Sequence, residues 1–461
     1  MKKLISAVLL LTVAACFLLA GCDGMDNDYE NKIKDDVYAT YESLKADLSD
    51  ADSNDEIMDY LNSWADKNSI FSEKLTDCGI VMSKDSDKKN SKSSSVTYQC
   101  RIDHSSKTDT FTSAAIAMTV LNDTENHGKI TVLFTDGTKG AQNLPDKYIK
   151  TDHFISLTER STPRLFTGSA ATAEYDISKK TSTKATEGTK AYKISISGCR
   201  GGDSAVRDTK HANPVVAIGD LLNECRNSGI ILEIKSFNGG DQAWNYPKSA
   251  TAVVVVASSE EDKFVSKAEN ERDSYKDKHL KNESDMDYTV SKVSLPSTVL
   301  SDADTSSILS LFYTMEDGVY ATSEPDDKGD LVALANIGSV STSGGSINIG
   351  VFARSTDTSV FKEMKKTYSD TADLSDASLK VVTSIPVWPQ KENDPLAESV
   401  IVAGSQADLK LSADYTFMRN DAAIFYSMDN DLDIVSMGVD IQDAFEITKT
   451  LVTFNETLVE E

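Results

Sequence analysis

Two apolar runs of buried-strand length, ITVLFT at 130–135 and HFISLT at 153–158, constrain the fold most. Near-continuous apolar strands belong to sheets covered on both faces, and such sheets are usually parallel and crossed by helices. The neighbouring pattern agrees. Residues 29–48 carry Ile33, Val37, Tyr41 and Leu44 at helical spacing, 55–67 form a second helix, and 112–121 form a small-residue apolar helix. Strands are expected around 79–83 and 96–102, joined by the charged, serine-rich stretch KDSDKKNSKSSS as a hairpin loop. Strands alternating with helices predict an α/β layer with a largely parallel sheet.

From about residue 191 the texture changes. KISISG, ILEIKSF and TAVVVVAS surround one helix, and a long charged helix follows at 260–281. DYTVSKVSL, LVALANIGSV and SINIGVFA then alternate with helices near 306–314 and 359–368. These are antiparallel α+β units, read as a domain inserted into the first. The chain returns at VWPQKENDPLAESV, gives DLDIVSMG as one more buried strand, and ends on a helix at 446–458.

The N-terminus is a targeting segment. Lys2 and Lys3 precede an apolar stretch at 4–19, and Leu-Ala-Gly-Cys follows at 19–22. The small residues mark a secretory signal. A cysteine directly after Leu-Ala-Gly resembles the lipobox of bacterial lipoproteins. That resemblance implies a signal peptide at 1–21, lipid on Cys22, a polar tether at 22–31, and attachment to the outer face of a bacterial membrane. The apolar stretch is too short and wrongly flanked for a lasting span.

The chain of 461 residues has a formal net charge of -26. That field opposes binding to nucleic acid and to anionic headgroups. Acidic clusters such as Asp26 and Asp28 read as solvated surface. Cys78, Cys100, Cys199 and Cys225 follow Cys22, and an exported compartment permits disulfides. A Cys78–Cys100 bridge across neighbouring strands is open. A Cys199–Cys225 bridge is disfavoured, because a strand and its following helix hold those ends apart. No C-x-x-C spacing suggests a structural zinc.

The segments SGCRGGDSAV…ANPVVAIGDLL, EIKSFNGGDQAWNYPKSATAVVV, ALANIGSV, VWPQKENDPLAESV and DLDIVSMGVDIQDAF occur in this order. Together they resemble the aminoacyl-histidine dipeptidases, the peptidase D-like branch of the dizinc metallopeptidases. The resemblance spans residues 32–461. It implies a dizinc-exopeptidase-like catalytic domain with a mixed sheet at 32–189 and 385–461, interrupted by an α+β lid at 190–384. It also implies a cleft suited to a peptide or protein ligand, and a homodimer through the lid.

That family holds two zinc ions with His, Asp and Glu ligands and uses a Glu as general base. Zinc takes such ligands and polarises a peptide carbonyl, and the bound water gives its proton to the carboxylate. Here the family's H-x-D falls on Arg101-Ile102-Asp103, so arginine replaces a ligand while the orienting Asp103 is kept. The bridging aspartate is retained as Asp109. The general base falls on Thr138 and the adjacent ligand glutamate on Lys139. A further ligand falls on Thr158, and the last histidine on Phe445. Arg101 stays protonated and Lys139 adds positive charge, both opposing a cation. Arg101 and Lys139 are therefore expected to replace the metal as a salt-bridge cluster with Asp103 and Asp109.

The glycine turn GCRGGDSAV resembles the lid motif G-G-H-S-G, with Asp203 at the place of a histidine that donates to developing negative charge. An ionised carboxylate accepts and would repel an oxyanion. Asn213 remains at the following helix start. His104, His127, His153, His211 and His279 form no H-x-D or H-E-x-x-H pair, and Asp421 stands alone where the family supports its metal site.

The preferred reading is a surface-anchored, non-catalytic relative of the dipeptidases that binds a peptide or partner and needs no cofactor. The alternative is an active metal-dependent dipeptidase with a rearranged site, which would use zinc.

Overall fold

The computed structural model describes residues 27–86, 93–125, 127–205, 211–324 and 329–459. The signal segment 1–21, Cys22 and Asp26 lie outside the described residues. Among the described residues no helix is long and apolar enough to cross a membrane. The chain divides into two compact units. The first comprises residues 1–165, 393–413 and 433–461, and the second 166–392 and 414–432. The inserted unit thus begins at 166 rather than 190, because strand Ala171–Lys180 pairs with Ser346–Ser355 in its sheet.

In the first unit the strands run Phe71–Leu75, Gly79–Lys84, Ile130–Asp136, Val96–Ile102, His153–Glu159 and Ile434–Val439 across the sheet. The last four are mutually parallel, and the first two are antiparallel additions. Strand Ile130–Asp136 lies between Gly79–Lys84 and Val96–Ile102, so the expected hairpin does not form. Gly79–Lys84 pairs instead with Phe71–Leu75, a strand too polar to stand out in the sequence. The insertion also excludes the Cys78–Cys100 disulfide. Two inter-strand spacings separate the cysteines by at least about 9–10 Å, beyond the reach of a disulfide. All four described cysteines are free and buried.

Alternation sends Tyr98, Cys100, Val132, Phe134, Ile155, Leu157, Val435 and Met437 to one face of this sheet. They pack against helices Asn27–Leu48, Lys107–Asp123, Pro395–Gln406 and Ala444–Thr457. Helix Asn27–Leu48 buries Ile33, Val37, Leu44 and Leu48, the stripe its spacing predicts. It runs antiparallel to Lys107–Asp123. Tyr29 Oη donates to the Asp123 carbonyl at 2.5 Å at one end, and Lys107 Nζ donates to the Ser49 carbonyl at the other.

Near the first of these ends, burial pushes the Glu456 carboxyl up to about 7, and the Glu125 charge adds to the effect. The folded chain therefore binds more protons than the unfolded chain between the ordinary value of 4.5 and about 7. Stability should fall as pH rises through that window, by about 1 kcal/mol once partial exposure is allowed for. Urea midpoints for the parent chain should show this slope, and Glu456→Gln should flatten it.

The second unit is built on an antiparallel sheet. Its order is Asp287–Val293, Lys190–Ser197, Ala250–Val256, Glu233–Gly239, Leu331–Ser343, Ser346–Ser355, Ala171–Lys180 and Ser378–Ile385. Helices Pro214–Asn227, Glu261–His279, Asp302–Thr314 and Thr358–Leu374 cover the face that carries Ile194, Val254, Phe237, Ile337, Val351 and Tyr175. Cys199 and Cys225 are separate members of this core.

Candidate functional site

The carboxyl ends of parallel strands are where open α/β sheets accept ligands. In the first unit the face opposite the helices is polar there. Gln99 is level with Ser156, and Ser156 with Ser436, all buried. Ser156 Oγ donates to Gln99 Oε1 at 2.6 Å, and Gln99 Nε2 donates to Thr135 Oγ1 at 3.0 Å. The Gln99–Ser156 pair leads to Arg101, one pleat further along the same strand.

The Arg101 guanidinium donates through Nη1 to Thr138 Oγ1 at 3.0 Å and faces Asp103 Oδ2 through Nη2 at 3.4 Å. Asp103 is itself held: its Oδ1 accepts from the Ser105 backbone N–H at 3.0 Å and from Ser105 Oγ at 2.5 Å. The Asp103 backbone N–H donates to Thr110 Oγ1 at 2.9 Å. Gly137 has φ of +55°, which lets the chain turn from its strand into helix Gly137–Asn143 and bring Thr138 under the guanidinium. Beside this group Asn54 Nδ2 donates to Asp136, while Asn54 Oδ1 accepts from the His104 backbone N–H at 2.7 Å.

Arg101, Asp103 and Thr138 thus meet, although Thr138 is 37 residues from Arg101 in sequence. The expected four-membered charge cluster does not form. Lys139 is exposed, because the residue after an inward-facing helical position is turned about 100° away. Asp109 is exposed for the same reason, next to the inward Thr110 in the first turn of Lys107–Asp123. Neither makes an ion pair among the described residues. Thr158 is half-buried on its strand, level with Gly438.

Phe445 sits elsewhere. It packs on the helix-side core, with Lys34 Nζ 5.5 Å from its ring centre, because the first turn of Ala444–Thr457 points it away from the polar face. Asp421 is buried before helix Ala422–Met428 in the second unit. The histidines are dispersed: His104 on Asn54, His127 on the Gly128 carbonyl, His153 on Asp433, His279 against Tyr275, and His211 stacked on Tyr246. Among the described residues no three His, Cys, Asp or Glu side chains are grouped to hold a metal. A guanidinium and a hydroxyl at the centre of this site do not fit a zinc ligand set.

The glycine turn has a definite job. Gly201 and Gly202 have φ of +67° and +116°, which lets the short strand Gly202–Asp203 fold onto Asn245–Tyr246. Asp203 Oδ1 then accepts from the Ala205 backbone N–H at 2.8 Å and from Arg354 Nη2 at 2.6 Å. Arg354 Nη1 donates to Ser204 Oγ at 2.7 Å, and its guanidinium lies 4.5 Å from the Phe352 ring centre. Arg354 is 1% exposed. Burial pulls it down to about 10, opposed by the Asp203 charge. Asp203 is therefore the counter-ion of a buried arginine.

The feet of the turn are joined by Glu283. Its two carboxylate oxygens accept separately from the Arg200 N–H at 2.7 Å and the Ala212 N–H at 3.1 Å, and His211 Nδ1 lies 3.5 Å away. Residues 206–210 of the turn lie outside the described residues. Asn213 caps helix Pro214–Asn227 through the Val215 and Val216 N–H groups and donates to Asp317 at 3.2 Å. Burial pushes the Asp317 carboxyl up to about 7. Arg354 and Glu283 were not legible as site residues. Arg354 alternates onto the face opposite Val351 and Ala353, where nothing local marks it as buried, and nothing local marks Glu283 in KNESD.

The sheet with its helix layer and the inserted antiparallel unit define a dipeptidase-like fold with catalytic-type and lid-type domains. The chain is similar to the aminoacylhistidine dipeptidase of Vibrio alginolyticus, with a TM-score of 0.69 and 16% identity over 92% of this chain and 96% of that one. It is also similar to the di-peptidase Dug1p of Saccharomyces cerevisiae, with a TM-score of 0.51 and 10% identity over 94% and 97% of the two chains. At these identities the likeness is one of fold. No family model matches the sequence, and no curated protein is similar to it in sequence.

Proposed function

We propose that this protein is a lipid-anchored, non-catalytic relative of the dipeptidases that binds a peptide or protein ligand. The single observation that carries this reading is the Arg101–Thr138 hydrogen bond beside Asp103. A fixed positive charge stands where a hydrolase of this fold would need a cation, and a threonine stands where it would need a base. Threonine takes no proton from water at neutral pH, so Thr138 cannot serve as a general base. The cluster can still orient a ligand, since Arg101 offers planar donors and Asp103 a carboxylate.

The anchoring half of the proposal rests on Leu-Ala-Gly-Cys at 19–22, with lipid on Cys22 and the protein on the outer face of a bacterial membrane. The catalytic half is tested by metal content and hydrolysis. Full-length protein should carry far less than one zinc per chain. It should cleave aminoacyl-histidine dipeptides no faster than buffer, with zinc, manganese or cobalt added. Stoichiometric metal with chelator-sensitive hydrolysis would establish the alternative, an active metallopeptidase with a rearranged site.

A further inference from the structure

The path of the first helix determines which end of the first unit faces its anchor. Helix Lys107–Asp123 starts just after the carboxyl end of strand Val96–Ile102 and returns beside the sheet. Its last residue, Asp123, therefore lies at the amino ends of the parallel strands. Lys84 is paired with Ile130, the first residue of its strand, and its Nζ donates to the Thr124 carbonyl at 3.2 Å, which marks the same end.

Helix Asn27–Leu48 begins at that end, where Tyr29 and Lys32 both hold Asp123, with Lys32 Nζ 2.6 Å from Asp123 Oδ1. It finishes at the other end, beside Lys107 and the Asn54–Asp136 contact. Its 22 residues correspond to about 33 Å. Five Cα–Cα steps lead from Cys22 to Asn27, a fully extended reach of at most about 18 Å.

From this geometry we infer that the first unit stands with the amino ends of its parallel strands toward the membrane and the Arg101 end directed away from it. The partner of that lower end is a lipid surface, reached through the acyl group on Cys22. The inference rests on the anchoring reading above. The lower end does not grip headgroups itself. Glu125 and Asp152 lie at this end together with Lys32, Lys84 and Lys129, so its charges are mixed and give no net grip on an anionic bilayer. Attachment therefore falls on the lipid. The consequence is a site that opens into the space outside the membrane, accessible to ligands borne there.

The test uses full-length, lipidated protein reconstituted in vesicles of phosphatidylethanolamine and phosphatidylglycerol containing an acceptor-labelled lipid. Lys129→Cys marks the lower end and Ser105→Cys the upper. Both positions are exposed, while Cys78, Cys100, Cys199 and Cys225 are buried, so a donor dye reacts selectively. Energy transfer to the bilayer should be several-fold greater from residue 129 than from residue 105. Bound protein should also stay with the vesicles in high salt, as lipid attachment requires. Mass spectrometry of the N-terminal peptide separates the two failures. Lipid on Cys22 with equal or reversed transfer overturns the orientation alone. A Cys22 without lipid overturns the anchoring reading and the orientation with it.

Discussion

Asp203→Ala should lower the unfolding free energy by about 2–3 kcal/mol, because it leaves the Arg354 guanidinium buried without its carboxylate. The full cost of breaking a buried pair is higher, but the Asp203 side chain is 36% exposed, and water reaching the site softens the loss. The cost belongs to the unpaired charge, so removing the charge should recover it. The double variant Asp203→Ala/Arg354→Met keeps volume against Phe352 and should restore most of the stability. Asp203→Asn should fall between, since a neutral amide oxygen still accepts from Nη2. Urea midpoints at constant slope would measure all three. Equal losses in the single and double variants would show that the pair is not what holds the turn.

Glu283→Ala should cost about 2–3 kcal/mol, since the buried Ala212 N–H and the part-buried Arg200 N–H lose their acceptor together. Glu283→Gln separates the contributions. A carboxamide has one acceptor oxygen, so it can serve the Arg200 or the Ala212 N–H but not both, and about half the loss should appear. Hydrogen exchange gives a second readout. The Arg200 and Ala212 amides should exchange faster in Glu283→Ala, while amides in strand Val96–Ile102 should not respond below the global unfolding limit. Uniform acceleration across both units would instead mean a general loss of stability.

These two carboxylates explain the glycine turn better than its resemblance to a catalytic loop does. The turn was legible from its glycines and from Asn213 at the helix start. Its chemistry was not. Asp203 meets an arginine 151 residues away, and Glu283 meets Arg200 from 83 residues away. No local spacing encodes such partners, because a β-sheet brings together residues whose separation in sequence is set by every connection between them.

The first unit teaches the same lesson on the scale of one residue. Thr138 and Lys139 are adjacent in sequence, and the expectation was that Lys139 joins Arg101, Asp103 and Asp109 in one charge cluster. The turn at Gly137 sends the hydroxyl inward and the ammonium into solvent. Phe445 aligned with a ligand position, but the first turn of its helix rotates it onto the opposite face of the sheet, near Lys34.

By itself, the sequence determined what depends on local periodicity and residue chemistry. Ile33, Val37 and Leu44 specified the first helix, the runs at 130–135 and 153–158 specified buried strands, and the Arg101 guanidinium is no zinc ligand whatever surrounds it. Tertiary structure alone decided strand order, which placed Ile130–Asp136 between Cys78 and Cys100 and left both thiols free. It also decided which charges pair: Arg101 with Asp103, and Arg354 with Asp203. The reason is physical. Strand pairing and burial are settled by the free energy of the whole packed sheet, and a charge finds its partner only after that sheet has formed.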